Sequence, residues 1–87
     1  MKYNLKVYKQ AARYYQKLSS DKQRKINSAL DEIGKEPFEG MHIKKLKGEL
    51  TGKYRYHAGD YRIIYSVDKR NRNIYVEAIG PRGDIYK

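Results

Sequence analysis

The stretch Lys53-Tyr54-Arg55-Tyr56-His57-Ala58-Gly59-Asp60-Tyr61-Arg62-Ile63-Ile64-Tyr65-Ser66-Val67 decides the fold. Two runs of aromatic and β-branched residues flank Ala58-Gly59-Asp60, a segment with the composition of a tight turn, so the pattern predicts a β-hairpin of Lys53–His57 and Tyr61–Val67. Residues two apart on a strand share a face. Arg55 and His57 therefore project together from the first strand. On the second, Tyr61, Ile63, Tyr65 and Val67 form one face, and Arg62, Ile64 and Ser66 the other. If the first of these faces packs on the rest of the molecule, Arg62 looks away from the core.

Downstream, Asp68-Lys69-Arg70-Asn71-Arg72-Asn73 is a longer polar turn, and Ile74-Tyr75-Val76-Glu77-Ala78-Ile79 adds a third strand. Gly80-Pro81-Arg82-Gly83 breaks it, leaving the short end Asp84-Ile85-Tyr86-Lys87. Upstream, Lys35–Gly52 holds Pro37, Gly40, Gly48 and Gly52 without a sustained period and reads as a connection. Its dense basic run is His42-Ile43-Lys44-Lys45-Leu46-Lys47.

Before that connection the period is helical. Ile26, Ala29, Leu30 and Ile33 recur at i, i+3, i+4, i+7, with Gly34 and Pro37 as a stop. Ser20-Asp21-Lys22-Gln23 has the form of a capping box that starts this helix. Ala11, Tyr14, Tyr15 and Leu18 place a shorter amphipathic helix over Lys9–Leu18, ended by Ser19-Ser20. Tyr3-Asn4-Leu5-Lys6-Val7-Tyr8 alternates as a half-buried strand. The order is β-α-α-β-β-β, which implies an α+β domain: an antiparallel sheet with an N-terminal helical hairpin on one face.

The chain has 87 residues, room for a single domain over 1–87. It has no cysteine and two histidines, which removes disulfides, thiolate metal sites and cysteine nucleophiles; no metal and no cofactor are expected. No apolar run approaches the length of a membrane span, and no membrane partner is expected. The N-terminus has no signal-peptide form, so a cytoplasmic location is expected. The formal net charge is +10 and is shared by both halves of the chain. A field of that sign attracts polyanions such as nucleic acid or an acidic protein segment.

Three segments then acquire a common meaning. Lys45-Leu46-Lys47-Gly48, Tyr54-Arg55-Tyr56-His57-Ala58-Gly59-Asp60-Tyr61-Arg62-Ile63-Ile64-Tyr65 and Ile79-Gly80-Pro81-Arg82-Gly83-Asp84-Ile85-Tyr86 resemble the RelE/ParE superfamily of toxins from toxin–antitoxin systems. The resemblance spans nearly the whole chain, and its Gly-Asp-Tyr-Arg-Ile-Ile-Tyr segment is the most specific part. It is closer to the RelE branch, whose members cleave mRNA in the ribosomal A site, than to the gyrase-directed ParE branch.

Carried over by position, the resemblance implies that Arg62 contacts the scissile phosphate, that Arg82 shares this role, and that Tyr86 stands where a catalytic C-terminal tyrosine is expected. Arg55 and His57 fall on strand positions that contribute to catalysis and are usually Lys or Arg in relatives. Lys44, Lys45, Lys47 and, at the start of the next strand, Lys53 are expected to hold the RNA backbone. Pro81 departs from the family, standing where His or Lys is frequent. The implied partners are a cognate antitoxin in a hetero-oligomeric complex and the ribosome with its mRNA.

These residue types suit metal-free RNA cleavage. The substrate's 2′-hydroxyl attacks the adjacent phosphorus, so one group must accept its proton, others must stabilise charge on the pentacoordinate phosphorus, and another must protonate the leaving 5′-oxygen. A guanidinium stays protonated and forks onto two phosphate oxygens, which fits Arg62 and Arg82 to the second task. His57 fits the first, because neutral imidazole accepts a proton near physiological pH. Tyr86 could stack on a base or relay a proton. Two other readings differ in class: a gyrase poison without ribonuclease activity, and a plain nucleic-acid-binding domain. Against the latter, the sequence has no basic recognition helix.

Overall fold

The structure is a computed structural model that describes residues 3–81. Its elements are β1 (Asn4–Val7), α1 (Lys9–Gln16), α2 (Ser20–Lys35), β2 (Ile43–Lys45), a 3-10 turn (Gly48–Leu50), β3 (Lys53–Ala58), β4 (Tyr61–Asp68) and β5 (Asn73–Pro81). They form a five-stranded sheet in the order β1-β5-β4-β3-β2, with the two helices packed on one side. The α+β class and the helical hairpin on a sheet are as the sequence predicts.

Two features of the sheet differ from the expectation. The sheet is mixed: β1 runs parallel to β5, while the remaining neighbours are antiparallel. A helical pair between β1 and the hairpin returns the chain so that β1 can close on the last strand, as crossovers between parallel strands require. The basic run read as connection also contributes β2. Three residues pair it with β3, too few to set up a period visible in the sequence.

Helix starts and stops follow local chemistry. Ser19, one residue before the predicted cap, is the N-cap of α2, its side chain accepting from the Lys22 amide at 3.5 Å. Gln23 consequently does not reach back to its own helix. Its side-chain amide donates to the Tyr15 carbonyl at 2.9 Å, satisfying an acceptor near the end of α1. Asp21 sits in the first turn of α2 and Lys35 in the last, both favourable to the helix dipole.

The core lies between helices and sheet. Ala11, Ile26, Ala29 and Ile33 meet Tyr56, Tyr61, Ile63, Tyr65, Ile74, Val76 and Ile79. Tyr65 is fully buried and its hydroxyl donates to the Pro37 carbonyl at 2.6 Å, so the large ring is buried without an orphaned polar atom. Tyr56 ties β3 to α2 by donating to the Glu32 carboxylate at 2.8–2.9 Å. Burial, and then that hydrogen bond, push the Tyr56 phenol up to about 12.

The β3–β4 hairpin closes on the pair Ala58–Tyr61 across Gly59 and Asp60. Gly59 has φ 62°, the left-handed conformation that short hairpin turns need at this position. The β4–β5 ladder slips by one residue between Ile64 and Tyr65: Ile64 opposes Ala78, and Tyr65 opposes Val76. Glu77 is the extra residue of this bulge, which shifts the inward phase of β5 from Ile74 and Val76 to Ile79.

Candidate functional site

With Tyr56, Tyr61, Ile63 and Tyr65 committed to the helices, strand alternation puts Lys53, Arg55, His57, Arg62, Ile64 and Ser66 on the other face, uncovered by any helix among the described residues. The register brings the predicted residues together. His57 is directly opposite Arg62, Arg55 is opposite Ile64, and Lys44 of β2 is opposite Arg55. On its other flank Arg62 faces Gly80, which has no side chain to crowd the guanidinium.

This assembly of cations is only sparsely neutralised. The ion pairs among the described residues are Asp21–Arg24, Asp31–Lys35 and Lys53–Glu77, none of which involves Arg55, Arg62 or Lys44. The Nε atoms of both Arg55 and Arg62 are inaccessible to solvent and have no hydrogen-bond partner. Buried N–H donors without an acceptor are costly, and the two guanidinium groups, on neighbouring strands and in no ion pair among the described residues, suit an anion that would reach their terminal nitrogens. The arrangement can bind a phosphate by two guanidinium groups while an imidazole stands beside it.

Not every predicted residue joins the group. Lys45 pairs with Tyr54 and so belongs to the opposite side of the sheet from Lys44. Lys47 lies beyond β2, exposed, at the mouth of a neighbouring cleft. Lys53 is on the cationic face, but its ammonium is held by the Glu77 carboxylate. Arg82 and Tyr86 lie outside the described residues.

The structure also adds groups that sequence reasoning missed. Glu77 accepts from Lys53 and, at 2.8 Å, from the Ser66 hydroxyl, and its carbonyl accepts from the Gln10 side-chain amide at 2.8 Å. Ile64, on the same face, is buried. The signal for Glu77 was the broken alternation of β5, in which Ile79 is out of phase with Ile74 and Val76; a bulge is the usual cause.

Comparison with known proteins gives these observations a family. A family model described as a ParE-like toxin of type II bacterial toxin-antitoxin system matches residues 5–87. No curated protein matches the sequence. Among solved structures, the chain is similar to the archaeal RelE–RelB complex from Pyrococcus horikoshii, with 34% identity and a TM-score of 0.82, covering 97% of this chain and 99% of that one. It is also similar to the YoeB–YefM toxin–antitoxin complex from Staphylococcus aureus, at 28% identity and TM-score 0.71, over 90% and 94% of the two chains. The isolated Escherichia coli RelE toxin shares the fold, at 23% identity and TM-score 0.76, over 91% and 83%. The chain belongs to the ParE-like toxins of type II toxin–antitoxin systems, in the RelE/ParE superfamily.

Proposed function

We propose that this toxin is a ribosome-dependent mRNA endoribonuclease. The observation that carries the reading is the pair Arg55 and Arg62, brought together beside His57 on the uncovered sheet face with both Nε donors unpartnered. In this mechanism the two guanidinium groups hold the scissile phosphate and stabilise charge as it builds on the phosphoryl oxygens. His57 takes the proton of the 2′-hydroxyl, whose oxygen bonds to phosphorus. The bond from phosphorus to the 5′-oxygen breaks, and that oxygen leaves protonated. Arg82 and Tyr86 are proposed, on the family resemblance, to complete the phosphate contacts and the proton transfers. Lys44 extends the cationic face along β2 and is positioned to follow the RNA backbone.

Its partner in the cell is proposed to be a cognate antitoxin. The similar structures from Pyrococcus horikoshii and Staphylococcus aureus are complexes of RelE with RelB and of YoeB with YefM. A net charge of +10 suits an acidic segment that folds as it binds and covers the same face.

The test is primer-extension mapping of a short mRNA in a purified translation system, with the unaltered protein and with Arg62→Met. New 3′ ends that need both ribosomes and Arg62 are expected. Intact mRNA would overturn the reading and favour the second one, a gyrase poison, which the ParE-like family description supports and a supercoiling assay would detect.

A further inference from the structure

Beside the arginine pair the uncovered face is not flat. The 3-10 turn, which begins at Gly48 and is followed by Gly52, both in the left-handed region, lines one side of an open cleft of about 460 Å³. That volume is within the range of small-ligand sites, roughly 300–1,000 Å³. Its apolar lining comes from Leu50, Ile64 and Ala78, and its polar lining from Gln10, Glu49 and Glu77, with Lys47 and Lys53 at the side. The cleft adjoins the phosphate-binding pair directly, because Ile64 opposes Arg55 and is two residues from Arg62, about 7 Å along the strand.

Beside the cations of this face, the cleft presents acceptors. Glu77 is fixed in orientation by Lys53 and Ser66, and its carboxylate oxygens retain lone pairs beyond those two bonds. The Gln10 amide donates its nitrogen to the Glu77 carbonyl, which leaves its side-chain oxygen as an acceptor. Glu49 is exposed and contributes a second carboxylate. A phosphate on the arginines brings its own nucleoside within reach, and a carboxylate answers best to a base edge with two adjacent N–H donors. Guanine has such an edge in N1–H and the 2-amino group; adenine, cytosine and uracil do not.

We infer that this cleft is a base-reading subsite that selects guanine next to the bound phosphate, with Glu77 as the fixed acceptor, Glu49 as the exposed one, and Leu50 and Ile64 against the ring. The inference rests on the phosphate-binding role given to Arg55 and Arg62 and extends it to sequence preference. It makes Glu77 a specificity residue and Lys53 its positioning residue.

The experiment is a titration of isotope-labelled protein with guanosine, inosine, adenosine and uridine 5′-monophosphates, followed by the amide resonances of Glu49, Leu50 and Ala78. Inosine lacks only the 2-amino group. The guanosine nucleotide is expected to bind at least about fivefold more tightly than the inosine one, as a good bidentate base contact discriminates. Glu77→Gln and, independently, the exposed Glu49→Gln are each expected to narrow that ratio while binding of the phosphate persists. Equal affinities for the two purine nucleotides, shifts confined to β3 and β4 around the arginines, or no binding would each overturn the inference. Ribonuclease activity is not read in this titration, so a failure of the nuclease reading appears separately, as intact mRNA in the translation assay.

Discussion

His57 and Arg62 stand directly opposite one another in a pair whose backbones do not bond to each other, because the His57 amide turns away to the His42 carbonyl of the neighbouring chain segment at 2.9 Å. In such pairs the Cα atoms approach to about 4.5 Å and the side chains are closest. Imidazole and guanidinium are thereby held at one locus by main-chain geometry alone. With Arg55 and Lys44 alongside, the fold concentrates positive charge where, among the described residues, no carboxylate pairs with Arg55, Arg62 or Lys44, and this arrangement costs stability in exchange for an anion site.

That cost is measurable. Arg62→Met keeps the apolar stem and removes the guanidinium. Arg62 lies diagonally across the ladder from Arg55, and like-charge contacts between strands are worth at most about 0.2–1 kcal/mol, so the variant is expected to melt at the same temperature or a few degrees higher. Its mRNA cleavage is expected to fall about 10²–10³-fold, the usual loss when one donor to a developing oxyanion is removed. A melting temperature lowered by 5 °C or more would show that the side chain is structural, and the activity loss would then be uninformative about chemistry.

His57→Lys separates two roles for one position. A lysine keeps a cation opposite Arg62 but is protonated at neutral pH and cannot accept the 2′-hydroxyl proton there. If His57 is the base, the variant is slow at neutral pH, regains rate in alkali and loses the acid limb of the pH–rate profile. A profile superimposable on that of the parent protein would assign His57 to binding only.

The residues themselves explain what sequence reading could and could not reach. The hairpin was legible because Gly59 and two alternating runs are short-range signals, and the register that joins His57 to Arg62 follows from turn length. The α2 stripe was legible because Ile26, Ala29 and Ile33 all reach the core. β2 was not, since Ile43–Lys45 is a strand only because β3 offers it an edge. The parallel pairing of β1 with β5 is equally a tertiary outcome. Glu77 escaped because strand logic assumes unbroken alternation, and the bulge adds a residue at the point where the face acquires its fixed carboxylate.

Lys44 and Lys45 offer an internal control for the RNA path. Adjacent in sequence and both exposed, they lie on opposite sides of the sheet. Lys44→Ala is expected to weaken binding of single-stranded RNA and to lower the slope of log affinity against log salt by about 0.7, the contribution of one phosphate contact. Lys45→Ala is expected to leave the slope unchanged. Equal effects from the two would mean that RNA does not follow the uncovered face.

The tyrosine that braces β3 beneath the cationic face gives a prediction about pH. Burial first, and then its hydrogen bond to Glu32, raise the Tyr56 phenol from about 10 to about 12. The folded protein thus holds this proton more tightly than the unfolded chain. The stabilisation is fully present below about pH 10, where an unfolded tyrosine is still neutral, and is lost as pH rises toward 12. Tyr65, deeper and likewise shifted upward by burial, adds to the same alkaline loss. In Tyr56→Phe the bond to Glu32 is gone. Glu32 is on the surface and regains water, so the loss at pH 7 is expected to be about 1 kcal/mol, or about 4–8 °C in melting temperature for a domain of this size. The gap between parent and variant should then close between pH 10 and 12, because only the parent has a proton to lose at this position. Thermal melts of both proteins across that range measure it. Curves that coincide at pH 7 would show that the Tyr56–Glu32 bond contributes nothing to holding the strand that bears Arg55 and His57 against the helix behind it, and curves that stay parallel to pH 12 would show that the folded protein holds the phenol proton no more tightly than the unfolded chain.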